Sequence, residues 1–482
     1  MTITILDCYT DEPAGLGVPP YIGTYPRYIA GYYGNVNYLT IDDLRYLDRY
    51  DEIKKKEQVK TNIKVYNRTR DVKEIKDILD RTSELIIIAG VHTPGKYLSA
   101  VPGTLREIIQ LTKNLQCKKI LTGPAVIGSQ AEGGKFFEKV DLKNFDEIKD
   151  FNFRYDEIKD YSIKGSSLIS QIRSLRIAEI ESSHGCSRKN GCSFCTEPLK
   201  NRLEFREEKD IIDEIKALYK NGIRDFRIGK QSCFYSLPYA ASLLQKIRKE
   251  CKDINTLHID NANPANVITK KGEEITKAIV KYCTAGNVAA FGVESFDEEV
   301  CKANNLNTTP EIVYKAVKQI NKYGKEHGDN GLSKFLPGIN LLFGLEDESK
   351  ETFNQNYSWL KRFLDEDIWI RRINIRQVSI FEGTPLYESV GNKFIRKNKK
   401  YYWKWRDKIR QDIDYPMLQK IAPIGHVMKG IRMEIHDGNT TFGRHIGTYP
   451  LIVGVKERLE LGKYYDIKVV GHMLRSITGE II

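Results

Sequence analysis

Cys186, Cys192 and Cys195 fall within one ten-residue stretch, spaced C-x5-C-x2-C, directly after an apolar run that reads as a strand. Three thiolates on one loop can ligate three irons of a cubane cluster. A Cys-x-x-Cys pair reaches neighbouring irons and a longer arm reaches the third. The fourth iron then lacks a nearby cysteine and stays open for a ligand. Zinc competes, because structural zinc wants a fourth Cys or His at short spacing, and His184 is a candidate. Chance clustering of free thiols is the remaining alternative. The nine cysteines are odd in number and otherwise scattered, unlike a disulfide framework. Cys233, Cys251, Cys283 and Cys301 read as core or surface residues, whereas Cys8, His92 and His184 are ambiguous.

A loop that carries such a site needs a frame. Residues 1–168 alternate apolar, β-branched runs (2–6, 85–91, 119–122) with helical patterns such as 104–115. That is the rhythm of a parallel sheet. No Gly-x-Gly-x-x-Gly opens a helix, and the glycines of 15–20 sit in a proline-rich turn, so no dinucleotide site is read. Within 169–390, candidate strands at 176–181, 225–228, 256–259, 288–292, 338–343 and 374–379 are spaced by helices; Ile211, Ile215 and Leu218 share one face of 207–220. Six such units suit an open or partial (β/α)6 barrel, whose functional residues lie at the C-terminal strand ends. Asp260, Asn261 and Asn263 are polar candidates at one of those ends. After a basic, aromatic linker at 391–420, short strands at 427–434, 451–455 and 465–470 with glycine turns predict a small antiparallel β-barrel over 421–482. The fold class is α/β, with that all-β module at its end.

The 482 residues include 76 Lys+Arg and 64 Asp+Glu, a net charge of +12. At 41% hydrophobic the chain is no disordered tail, and its length suggests about three domains. Apolar runs such as 85–91 fall far short of the roughly 20 residues a membrane span needs. With no secretory signal visible, the sequence reads as soluble and cytoplasmic. Residues 393–410 hold nine Lys/Arg and one acid, Asp407, interleaved with Phe394, Tyr401, Tyr402, Trp403 and Trp405. Such cations can neutralise phosphates while aromatics stack on exposed bases. The alternative is a solvated amphipathic connector with Trp403 and Trp405 packed under the barrel. From Ile421 onward, eight basic residues face six acidic ones, so charge there decides nothing.

Several positions, in order, resemble the radical S-adenosylmethionine (SAM) superfamily. Phe194 matches the aromatic before the last cysteine. Gly229-Lys230-Gln231-Ser232 stands where the family has its SAM amino-group motif. Phe291–Ser295 falls at the fifth strand, and 338–346 looks like the sixth-strand motif lining the adenine site, followed by the helix that 348–353 resembles. The resemblance implies a 4Fe–4S cluster on Cys186, Cys192 and Cys195, SAM as second cofactor, an electron donor, and cleavage of SAM to a 5′-deoxyadenosyl radical. It also implies that Gly229, Lys230 and Glu294 meet the methionine or ribose part and that Gly344 admits the adenine. The usual spacing is C-x3-C-x2-C, so the loop around 188–190 is two residues longer.

The order of domains resembles the methylthiotransferases. Arg376-Gln377-Val378-Ser379 with Gly383-Thr384-Pro385 is similar to their final barrel strand, and 442–444 through 476–480 to their RNA-contacting TRAM domain. That implies RNA, expected as tRNA, bound by 393–410 and the terminal barrel. The family's three N-terminal cluster cysteines are not matched. Cys8 stands near the first, Pro124 occupies the third, and Cys117 reads as a helix-to-strand connection. Cobalamin-dependent radical SAM enzymes are a second family to weigh, although their Asp-x-His-x-x-Gly has Gly90 in place of Asp, before His92 and Gly95. Two function classes follow. One is a radical enzyme modifying RNA; the other acts on a protein or small molecule, with the barrel as a lid. A non-catalytic iron–sulfur RNA-binding protein is a third.

Overall fold

The computed structural model describes residues 2–8, 21–48, 68–90, 102–126, 142–188 and 190–482. His92, Gly95, the 15–20 turn and Lys189 therefore lie outside the described residues. The chain divides into two compact units, residues 1–180 with 209–226, and residues 181–208 with 227–482.

In the first unit a parallel five-stranded sheet runs in the order Val36–Thr40, Ile3–Asp7, Glu84–Ile88, Lys118–Thr122, Glu147–Ile148. Ile3 pairs with Val36 on one side and with Glu84 on the other. Glu84–Ile88 is buried along its whole length, as a parallel strand covered on both faces must be. Flanking helices begin at side-chain caps: Asp71 for Val72–Arg81 and Thr104 for Leu105–Thr112. Leu6, Leu39, Ile87, Ile108 and Leu121 form the core, and Cys8 packs into it. Burial pushes the Cys8 thiol well up. Cys117 does stand between a helix and a strand. The Val36–Thr40 strand was not evident from sequence, since Asn37 interrupts its apolar run and parallel pairing to Ile3–Asp7 holds it.

All six candidate barrel strands are strands: Ile177–Glu181, Asp225–Gly229, Thr256–Ile259, Asn287–Glu294, Phe335–Phe343 and Arg372–Gln377. The last begins and ends two residues earlier than its pattern suggested. Between Thr256–Ile259 and Asn287–Glu294 stands one further short strand, Asn261–Ala262. In the second unit, Asn261–Ala262, Asn287–Glu294, Phe335–Phe343 and Arg372–Gln377 form one parallel sheet in that order. Its register shifts between Gly292 and Glu294, a bulge that re-aims the strand end.

Residues 393–410 are not a loose linker. Lys393–Ile409 is a helix whose buried residues, Phe394, Asn398, Tyr402 and Ile409, recur on one face. A five-residue π-helical turn, Arg410–Asp414, leads into Tyr415–Ile421. The terminal module is a closed barrel in the order Val427–Asp437, Thr440–Arg444, Ile452–Val455, Ile477–Ile481, Tyr464–His472. Its core is built on Met428, Ile431, Met433, Val453, Ile467 and Val469. One pairing, Ile452–Val455 with Ile477–Ile481, is parallel; the others are antiparallel. No helix among the described residues is long and apolar enough to cross a membrane.

Candidate active site

The three cysteines lie on the loop that leaves Ile177–Glu181 through a short pairing of Ser183–His184 with Glu204–Phe205. Gly185 turns the chain there at φ +78°, and a Cβ would stand 2.3 Å from the Arg202 carbonyl oxygen. The Gly185 amide donates to Glu197 Oε1 at 2.7 Å. Cys195 N closes a turn onto the Cys192 carbonyl at 3.0 Å. His184 is engaged by Glu204 at 3.2 Å and lies 3.9 Å from Glu181.

The loop is anchored from far along the chain. Ser193 N donates to the Asn304 carbonyl at 2.9 Å, and Ser193 Oγ pairs with Asn304 Oδ1 at 2.8 Å. Asn304 Nδ2 in turn donates to the Glu346 carbonyl at 3.0 Å, tying the loop to the segment after Phe335–Phe343. Arg188, in the lengthened part of the loop, donates to Cys192 Sγ at 3.3 Å and to Asn305 Oδ1 at 2.9 Å. Phe194 and Cys192 pack against an apolar cluster of Val300, Leu306, Leu345, Val378 and Leu386. Burial pushes the Cys192 thiol up to about 12, against the pull of Arg188 and with the other two cysteines adding to the rise.

Among the described residues no three His, Cys, Asp or Glu groups converge as ligands of one ion would. A four-iron cluster asks instead for three thiolates on three separate irons, and three electrostatically coupled, half-buried thiols on one braced loop fit that donor set.

The strand ends around this loop carry strained backbone. Of five non-glycine residues with positive φ among those described, Lys230 (52°) follows Asp225–Gly229, Glu294 (63°) ends its strand, Asp347 (64°) follows the Gly344 turn, and Asn305 (47°) braces the loop. Such residues cost about 1–3 kcal/mol each and collect at functional sites. Burial pushes the Glu294 carboxyl up to about 8, partly offset by the Arg376 guanidinium. Gly344 has φ +96°, and a Cβ would stand 2.5 Å from Ile395 Cγ1. The close approach it permits here is thus by the Lys393–Ile409 helix. Glu348 fixes this turn, accepting from Gly344 N at 2.9 Å and from Asn398 Nδ2 at 2.9 Å.

The other polar candidates have structural partners. Asp260 pairs with buried Arg227 and accepts from Tyr449 Oη at 2.8 Å. Asn261 donates to the Gln231 carbonyl at 3.0 Å, and Asn263 caps Pro264–Val267. Cys233, Cys251 and Cys301 are buried. The basic helix divides its two tryptophans. Trp405 stacks on Phe353 with centroids 6.2 Å apart, whereas Trp403 is 51% exposed with Arg406 4.3 Å over its ring. Asn304 and Asn305 escaped the sequence reading, whereas Arg188 and Arg376 stood in it only as part of the longer loop and of the final strand, with no role at the site.

Residues 180–360 match the family model for the radical SAM superfamily. The chain carries a radical SAM domain. Its cofactors are accordingly a 4Fe–4S cluster and SAM. This radical SAM protein is 42% identical to an uncharacterized protein of Methanocaldococcus jannaschii, over 99% of this chain and 93% of that one. It is 24% identical to the ribosomal protein uS12 methylthiotransferase RimO of Elusimicrobium minutum, over 73% and 76% of the two chains. Among solved structures, the radical SAM methyltransferase TsrM from Kitasatospora setae, with cobalamin and a 4Fe–4S cluster bound, is similar at a TM-score of 0.50. That match covers 81% of this chain and 75% of TsrM at 15% identity, a likeness of fold.

Proposed function

We propose that this radical SAM enzyme modifies RNA, with tRNA the expected substrate, and that Cys186, Cys192 and Cys195 hold its cluster. When bound and reduced, cluster and SAM supply a 5′-deoxyadenosyl radical. The chain's own residues do the rest. Phe194, Leu345 and Val378 keep water from the loop, and Arg188 offsets thiolate charge at Cys192. Gly229, Lys230 and Glu294, at strand ends, take the polar parts of SAM. TRAM-like character of the terminal barrel belongs to the same reading.

The observation that carries it is the outer face of Lys393–Ile409. Lys393, Arg396, Lys397, Lys399, Lys400 and Lys404 are exposed together with Trp403. Cations that track phosphates beside an aromatic that stacks on a base are what single-stranded RNA requires. Mass spectrometry of nucleosides from cells with and without the gene tests it. One nucleoside should lose a mass increment when the gene is removed. Unchanged nucleosides would overturn the RNA assignment.

A second reading, action on a protein, is favoured by the identity to an enzyme named for ribosomal protein uS12. Methyl transfer through cobalamin held by the N-terminal parallel sheet is its variant, since TsrM, a methyltransferase of similar fold, binds cobalamin. Intact-mass analysis of ribosomal proteins from the same two strains separates the protein reading from the RNA reading.

A further inference from the structure

Beside the start of Arg372–Gln377 stands a concentration of arginines that neither the cysteine loop nor the SAM-facing strand ends use. Arg371 and Arg372 open the strand, Arg410 begins the π-helical turn, and Arg475 is exposed on the turn joining Tyr464–His472 to Ile477–Ile481. Their charges act on one another: Arg372 and Arg475 on Arg371, and Arg475 with Arg406 on Arg410. The carboxylate set among them is Asp414, which feels Arg475, Arg410 and Arg372.

The segments are tied together by contact. Arg371 donates to the Tyr449 carbonyl at 3.1 Å, and the Arg372 guanidinium lies 4.3 Å over the Tyr449 ring. Tyr415, next to Asp414, meets His472 edge-on at 6.5 Å. Two buried polar atoms here, Arg410 Nε and Asp414 Oδ2, have no hydrogen-bond partner among the described residues. Burial and like charge together bring Arg371 and Arg410 down to about 10 each. Half-buried cations gathered around one carboxylate are expensive unless an anion completes them. The π-turn that presents Arg410 is itself a rare element, frequent at functional sites.

We propose that Arg371, Arg372, Arg410 and Arg475 form a phosphate-binding site that holds a backbone phosphate of the RNA substrate. This rests on the RNA reading above. Guanidinium forks match phosphate oxygens bidentately, which lysines on the outer helix face cannot do. Arg372, Asn374 and Arg376 alternate along one face of the strand, and Asn374 also donates to Asn340 at 3.2 Å. At about 3.3 Å per residue, Arg372 and Arg376 are roughly 13 Å apart. Arg376 bears on Glu294. A phosphate at the arginines thus sits one polar ladder away from the SAM-facing strand ends.

The test uses the full chain, a fluorescein-labelled unmodified tRNA transcript titrated across salt, and thermal melts with and without inorganic pyrophosphate. Arg410→Gln/Arg475→Gln should weaken transcript binding about tenfold and flatten the slope of log K against log salt by roughly 0.7–0.9, one phosphate contact. Arg475→Lys should keep the slope while losing part of the affinity. Should the double variant melt abnormally, Arg475→Gln alone, at an exposed position, carries the test with the same direction of change. A folded variant with wild-type affinity and slope overturns the site and leaves the RNA reading standing. A wild type that ignores the transcript, yet is stabilised by pyrophosphate where the variant is not, keeps the phosphate site and overturns the RNA reading. No response to either probe overturns both.

Discussion

His258 and His445 stack at 6.4 Å where a loop of the terminal barrel meets the Thr256–Ile259 strand. Burial holds His258 down to about 3 and His445 to about 4. Both are therefore neutral in the folded state while the unfolded chain binds protons near pH 6.5. Stability from this pair is intact above that value and is lost as pH falls toward 4. At pH 5 each histidine withdraws about 2 kcal/mol. Urea midpoints at pH 7 and pH 5 should show that drop in the wild type and about half of it in His258→Gln. At the three cysteines proposed as ligands, reconstituted protein should hold about four irons, and a Cys186/Cys192/Cys195→Ala variant should lose both iron and sulfide. Retention of four irons in that variant would sink the assignment. The cysteines were legible because their signal is local spacing. Asn304 and Asn305 were not, since they brace the loop from more than a hundred residues away and only folding brings them together.

Helices and strands differ in how openly their sequences announce them. The six barrel strands are β-branched or aromatic runs between helices, and each was legible. In Lys393–Ile409 nine cations at 393–410 obscure a sparse apolar stripe, so the helix read as a linker. The connector reading holds for Trp405, which packs on Phe353 and Tyr357, and not for Trp403, which is exposed. Trp405→Ala should cost about 2 kcal/mol by removing the stack on Phe353 and Tyr357. Trp403→Ala should cost less than about 0.5 kcal/mol of stability. Its effect should appear in transcript affinity, at about 1–3 kcal/mol if a base stacks there. Equal losses of stability in both variants would remove Trp403 as a stacking platform. Gly344→Ala should loosen the same helix, because its Cβ meets Ile395 at 2.5 Å and its φ is +96°. About 1–3 kcal/mol of destabilisation is expected, partly relieved by adding Ile395→Ala.

At the scale of the chain, the order of N-terminal sheet, partial barrel and terminal barrel followed from composition and strand rhythm. The parallel pairing that closes the barrel did not, because the 451–455 run carries no mark of its partner's direction. Cys8 and Cys117 are the only cysteines before Cys186, so iron should stay near four per chain and be indifferent to Cys8→Ala. Iron near eight would require other ligands in the N-terminal sheet. With the cluster loaded and a strong reductant present, SAM should yield 5′-deoxyadenosine; none from a fully loaded cluster would place the protein in the non-catalytic class.

The parallel closure also orders events during folding. Ile452–Val455 can pair at once with its antiparallel neighbour in sequence, Thr440–Arg444, but its other edge must wait for Ile477–Ile481. Until Ile477–Ile481 docks, the folding chain carries an apolar strand with one edge of unpaired amides and carbonyls, the kind of edge that invites pairing with other chains. Anything that delays the docking of Ile477–Ile481 prolongs that window.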